Sequence, residues 1–300
     1  MPFIPAYLKL PPEELRQRVR AAGELLKRCS LCPRNCGVDR SAGETGFCKT
    51  TDKLRVASWG PHFGEEAPLV GRYGSGTIFF SSCNLGCVFC QNWDISRLRE
   101  GEGMPVERLE GIMKGLQEAG CHNINLVTPT HQMPMILHSL VLAAEAGLNI
   151  PLVYNCGGYE APEALELLEG IVDIYMPDLK YSDPSIALNC SQAEGYPEHA
   201  KAAIREMHRQ VGNLTLDERG IALRGLLVRH LVLPGGLAGT AEAARFIAEE
   251  ISPDTLLNIM DQYHPCDRAF EYPPLDRRLS REEYEKARRE AIKAGLKSFL

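Results

Sequence analysis

From Thr77 onward, short runs of consecutive apolar residues alternate with longer stretches whose apolar positions recur every three to four residues. The first kind predicts strands at Thr77–Ser82, Asn123–Thr128, Pro151–Asn155, Ile171–Pro177, Leu226–Val232 and Leu256–Met260. The second predicts helices at Val106–Ala119, Pro134–Ala146, Pro162–Leu168, His199–Gln210 and Thr240–Ile251, with Leu109, Ile112, Met113 and Leu116 sharing a face of the first. Strands of four to seven residues alternating with helices imply successive βα units and a parallel sheet, an α/β fold. Ahead of this region, residues 12–27 read as a helix with Leu15, Val19, Ala22 and Leu26 on one side, opened by Pro12 and first-turn acids. A cysteine- and glycine-rich stretch from Cys29 to Cys48 follows, then a loop-like region to about Gly76. Ser280-Arg281-Glu282-Glu283 is a capping-box pattern that opens a C-terminal helix to about Ala294.

Composition sets limits on this picture. With 300 residues and 44% hydrophobic content, the chain can bury one large core or one core plus a small appendage. No apolar run reaches the ~18 residues that span a bilayer, and the first residues lack the basic and apolar regions of a signal peptide. The expected location is therefore the cytoplasm, with no membrane partner. A net charge of −6 without a basic stripe argues against a nucleic-acid partner. Eleven cysteines in a reducing compartment point to metal ligation rather than disulfides.

The most specific feature is Ser82-Cys83-Asn84-Leu85-Gly86-Cys87-Val88-Phe89-Cys90, a C-x-x-x-C-x-x-C loop directly after the first predicted strand. A ferredoxin-type 4Fe–4S cluster takes four cysteines, so three thiolates leave one iron open. An open metal position is a mark of catalysis. The loop resembles the signature of the radical S-adenosylmethionine (SAM) enzymes, in which SAM chelates the open iron and is reductively cleaved to a 5′-deoxyadenosyl radical. That resemblance implies a partial (β/α)6, TIM-like barrel, with Cys83, Cys87 and Cys90 holding the catalytic 4Fe–4S cluster. The expected organisation is an N-terminal helix and four-cysteine extension (residues 1–71), the barrel (72–268), and a C-terminal helix over the barrel's open edge (269–300).

Reactive groups of such a barrel gather at the carboxyl ends of its strands. Strand 4 ends in Met176-Pro177-Asp178-Leu179-Lys180, strand 5 carries Val228-Arg229-His230, and strand 6 ends in Asp261-Gln262-Tyr263-His264. These stretches resemble those of pyruvate formate-lyase activating enzyme and an uncharacterised branch of proteins related to it, over roughly residues 72–268. The resemblance implies that Asp178, Lys180, Arg229 and His264 contact SAM. An arginine fork suits a carboxylate because it donates two parallel bonds. A structural Asp–Lys pair, or a histidine bonded to a backbone carbonyl, is the plainer reading of the same residues. After strand 2 the family's Gly-Gly-Glu is replaced by Val127-Thr128-Pro129-Thr130-His131-Gln132. Thr128, Thr130 or His131 is then the candidate to receive the SAM amino group. Asn155-Cys156-Gly157-Gly158 closes strand 3, with Asn155 where the activating enzymes carry an acid and two glycines that permit close backbone approach.

Cys29, Cys32, Cys36 and Cys48 form a second set, spaced x2, x3 and x11. Four ligands make a closed site, structural or electron-transferring, and thiolate softness admits zinc or a second 4Fe–4S cluster. Cys121, Cys156, Cys190 and Cys266 lack ligand spacing and are expected to be buried, although Cys156 and Cys266 lie on expected active-site loops. The stretch His62–Pro68 reads as a polar connector, with closure over the barrel mouth as the alternative. The expected function is reductive cleavage of SAM followed by hydrogen abstraction from a protein, as in glycyl-radical activation, with a flavodoxin or ferredoxin as reductant. Two alternatives stand beside it: a radical SAM enzyme acting on a peptide or small molecule with an auxiliary cluster, and a non-enzymatic iron–sulfur electron carrier.

Overall fold

The computed structural model describes residues 3–298. In chain order the main elements are α1 (Pro12–Lys27), β1 (Arg55–His62), α2 (Ala67–Val70), β2 (Ser75–Phe80), α3 (Trp93–Ser96), β3 (Glu102–Gly103) and α4 (Val106–Glu118). There follow β4 (Ile124–Val127), α5 (Met133–Glu145), β5 (Leu152–Cys156), α6 (Pro162–Glu166), β6 (Ile174–Pro177), α7 (Pro184–Ser191) and α8 (Tyr196–Val211). The chain ends with β7 (Thr215–Leu216), β8 (Ala222–Leu231), α9 (Thr240–Phe246), β9 (Leu256–Met260) and α10 (Arg281–Lys293).

The six expected strands are β2, β4, β5, β6, β8 and β9, and they pair in that order, all parallel. This is the partial TIM-like barrel. Register explains how one sheet serves two environments. Ile78, Leu126, Tyr154, Tyr175 and Leu226 lie in one row and join the core under the helices. One residue back along β5 and β6, Val153 and Ile174 face the other way and pack with Met176, Leu227 and Leu69 of α2 inside the bore. The two-residue side-chain period makes both layers from one set of strands.

The region expected to be a loop before Gly76 contains β1, which runs antiparallel to β2 from Val56↔Phe80 to His62↔Ser75. Gly60 and Pro61 hide it in the sequence. Pro61 is tolerated because β3 pairs with β1 only at Arg55 and Val56, leaving that edge free further on. The boundary placed at 71/72 thus falls between two strands of one sheet. The helix expected over Thr240–Ile251 is α9 continued by a π-helical turn at Ile247–Ile251. At the other end, α10 carries the capping box, with Ser280 and Glu283 bonded reciprocally, and the Tyr284 hydroxyl donates to the Ile259 carbonyl of β9.

Asp173, just before β6, pins the N-terminal segment to the sheet by accepting the Ala6 and Leu152 amides at 2.8 and 3.0 Å. Burial pushes its carboxyl up to about 6 despite those bonds. A native pKa above the unfolded value means the folded protein binds more protons, so Asp173 removes stability as pH rises from about 4 to about 6. Asp173→Asn, which does not titrate, is expected to gain about 3 kcal/mol relative to wild type across that window, read as the difference between urea melts at each pH.

Candidate active site

The loop from Ser82 to Cys90 leaves the C-terminal end of β2, where the barrel's reactive groups are expected. Ser82 takes a left-handed conformation (φ 76°), held by its amide donating to the Ile95 carbonyl at 2.8 Å. Val88 N–H bonds to Cys190 O at 2.8 Å, and Arg268 N–H to Val88 O at 3.0 Å, so the loop is clamped from α7 and from the segment after β9. Phe89 packs edge-on against Tyr181 and Tyr263. Each cysteine has its own donor: Leu85 N–H to Cys83 Sγ (3.3 Å), Ser191 Oγ–H to Cys87 Sγ (3.0 Å) and Ser96 Oγ–H to Cys90 Sγ (3.2 Å). Burial pushes the Cys83 thiol up and that of Cys90 to about 12. Such thiols are protonated at neutral pH and poor nucleophiles, and a metal must displace their protons. Three donors of this kind on one short loop fit an iron–sulfur cluster.

The second group ties β5, β6 and β8 together at their C-terminal ends. Arg229 Nε donates to Asp178 Oδ1 at 2.8 Å and Nη2 to Asn155 Oδ1 at 2.7 Å, while Lys180 Nζ meets Asp178 Oδ2 at 2.5 Å. Burial alone would raise the Asp178 carboxyl, but Arg229 and Lys180 outweigh it and hold it below the usual range. The same carboxylate raises Lys180 and Arg229 against their own desolvation, so all three stay charged. The Tyr196 hydroxyl accepts the Lys180 amide and reaches the Gly157 and Asp178 carbonyls, each at 2.9 Å, which fixes the turn. A Cβ on Gly158 (φ +77°) would lie 2.4 Å from the Asp178 carbonyl, so only glycine fits there.

His264 stands beside the cysteine loop, its Nδ1 3.3 Å from Gln91 Nε2. Thr128 remains at the end of β4 with a left-handed backbone, its amide bonded to Asn155 O at 2.8 Å. Thr130 and His131 turn away from this group. Thr130 donates to the buried Glu160 (2.7 Å), whose carboxyl burial pushes up to about 7. His131 bonds through Nε2 to Ser81 O (2.6 Å) and lines a cavity with Cys29, Cys32, Cys36 and Cys48. Cys121, Cys156 and Cys190 are buried, and Cys266 is half-buried.

The sequence reading missed the acids before β2. Glu65 and Glu66 lie in a stretch read as a connector, yet Glu66 is buried and the Glu65 side chain is only 8% exposed. Glu65 sits 3.6 Å from Arg229 Nη1, and Glu66 accepts from Asn258 Nδ2 of β9 at 2.9 Å. Glu66 Oε2 and both amide atoms of Asn125 are buried without partners, an unusual concentration in a native interior. No periodicity marks these residues. The only local signal is two adjacent acids ahead of Ala67-Pro68.

Residues 77–218 match the sequence model of the Radical SAM superfamily. The chain is 34% identical over 294 residues to the uncharacterized protein MJ0674 of Methanocaldococcus jannaschii, covering 95% of this chain and 80% of that one. The uncharacterized protein MJ0808 of the same organism is 25% identical over 291 residues, covering 90% and 79%. Among solved structures, the fold is similar to Streptococcus suis SuiB bound to precursor peptide SuiA, at a TM-score of 0.50 and 13% identity, covering 73% of this chain and 46% of that one. The chain therefore spans less than half the length of SuiB. Taken with the three-cysteine loop at the end of the first parallel strand, the match to the family's sequence model shows that the chain belongs to the radical SAM superfamily.

Proposed function

We propose that the chain directs radical SAM chemistry at a peptide or protein segment, as the glycyl-radical activating enzymes do. Family membership implies a 4Fe–4S cluster and SAM, and Cys83, Cys87 and Cys90 are the residues that would hold the cluster. When bound, the reduced cluster would supply one electron to the SAM sulfonium, whose C–S cleavage releases methionine and a 5′-deoxyadenosyl radical. The chain's own residues provide the setting. Leu85 N–H, Ser96 and Ser191 donate to the three sulfurs and stabilise their negative charge. Arg229, Lys180 and Asn155 present fixed polar groups around Asp178 for the methionine and ribose parts of SAM. Phe89, Tyr181 and Tyr263 exclude water beneath the loop.

The observation that carries the substrate class is that the sheet does not close. Among the described residues β9 pairs only with β8, and the far edge of β2 is taken by β1, so no ladder joins the two ends. A barrel open at the side admits an extended segment that a closed one excludes. SuiB, of similar fold, was solved with a precursor peptide bound. A small cationic substrate is the second reading, favoured by Glu65 and Glu66 and the unpartnered Asn125 within the barrel. Production of 5′-deoxyadenosine under anaerobic reduction separates the two. Stimulation by the macromolecular fraction of a host extract, abolished by protease, supports the first reading. Stimulation by the protease-resistant small-molecule fraction alone overturns it.

Two substitutions test the site itself. Cys87→Ala is expected to abolish SAM cleavage and remove about four irons per chain, by colorimetric iron assay and 5′-deoxyadenosine analysis. Arg229→Lys keeps the charge that Asp178 and Glu65 need but loses the fork. It is expected to weaken SAM binding about tenfold or more with iron content unchanged, by equilibrium dialysis.

A further inference from the structure

The three-cysteine loop also forms part of the wall of a pocket of about 260 Å³. Cys83, Gly86 and Val88 of the loop line it, as do Ser96 and Ser191, whose hydroxyls donate to the Cys90 and Cys87 sulfurs. Asp178, Lys180, Arg229 and Asn155 are not among the lining residues, so the pocket is separate from the group at the strand ends.

Its remaining wall is basic. Lys49, Arg97, Arg99 and Arg268 line the pocket and no aspartate or glutamate does, in a chain whose net charge is −6. Arg97 and Arg268 are paired with Asp267 and Glu271, while Lys49 and Arg99 are exposed and meet no carboxylate among the described residues. The pocket is thus a positive spot on an acidic protein, and such a spot steers acidic partners toward it. The segments that supply these residues also carry Leu98, Leu188 and Phe270, all exposed. Charges interleaved with exposed apolar side chains suit a protein partner better than a small anion.

We propose that this pocket is the docking site of an acidic one-electron carrier protein that reduces the cluster. The inference rests on Cys83, Cys87 and Cys90 holding that cluster, and it is independent of the substrate. In the step, the reduced carrier gives up one electron and the oxidised cluster takes it, with no bond made or broken. Electron transfer weakens steeply with distance, and a carrier seated here touches the loop that holds the iron. Docking leaves the strand-end group expected to receive SAM uncovered. Complexes of this kind bury little surface and depend on charge for their rate of formation.

The test uses the full chain reconstituted anaerobically with iron and sulfide, with an acidic flavodoxin as probe. Lys49→Glu combined with Arg99→Glu is expected to weaken flavodoxin binding about tenfold or more at low salt, by isothermal titration calorimetry. Cluster reduction by flavodoxin hydroquinone is expected to slow by a similar factor in stopped-flow absorbance, with iron content, melting and reduction by dithionite unchanged. Raising salt from about 50 to about 300 mM is expected to slow the native chain and to affect the variant far less. Arg219→Glu, between β7 and β8 at the N-terminal end of the strands, reverses an exposed charge elsewhere and is expected to change neither readout. Equal flavodoxin affinity in the native chain and the double variant, with a cluster that dithionite still reduces, overturns the proposal. Pyrophosphate binding that the double variant loses, with flavodoxin reduction unchanged, overturns it in favour of a small-anion site. A native chain that takes up no iron overturns the cluster assignment, and the proposal with it.

Discussion

The Asp178 carboxylate, half-buried between Arg229 and Lys180, is the constraint around which the strand ends are organised. Taking three charges out of water is costly, and the arrangement survives because each has a partner and the remaining fork atoms reach Asn155 and Glu65. Those partners come from β5, β6, β8 and the segment before α2, so the charges are satisfied only when the barrel has its observed register. Arg229 and Asn258 face each other across β8 and β9, and Asn258 in turn holds Glu66. The open sheet, which among the described residues lacks the closing ladder of a full barrel, is therefore braced across its bore by polar side chains.

The cysteine loop depends on the same framework in a different way. Its thiols are held by hydrogen-bond donors from the loop itself, from α3 and from α7, while burial pushes those of Cys83 and Cys90 up, so a metal that binds there must displace their protons. Metal binding and local order are thus coupled: the loop is shaped before loading, and its charge is established by it. The N-terminal cysteine unit packs directly on this loop through Arg34, Phe47 and Asn84, so the two thiol sets share one wall. What looks like an appendage in the sequence is a structural neighbour of the three-cysteine loop.

Legibility followed physical locality. Six parallel strands, the first long helix and the capping box at Ser280 are visible because each rests on neighbours within a few residues: a run of buried apolar side chains, a Pro at N1, a serine three residues before a glutamate. Strand β1 was hidden because Gly60 and Pro61 break the pattern that an edge strand can tolerate. Glu65 and Glu66 were hidden for a stronger reason. An acidic pair reads as solvated unless its cation is known, and Arg229 lies more than 160 positions away in the chain.

By itself the sequence determined the α/β class, the order of the strands and the three-cysteine loop, since apolar period and ligand spacing are local properties that no distant contact can erase. Tertiary structure alone decided which polar residues meet. It gathered Asp178, Lys180, Arg229 and Asn155 at one end of the sheet, drew Glu65 in with them, and turned Thr130 and His131 toward Glu160 and the N-terminal cysteines. The reason is that buried charges and hydrogen bonds are satisfied by partners brought together across the sheet, and register, not sequence distance, sets those meetings.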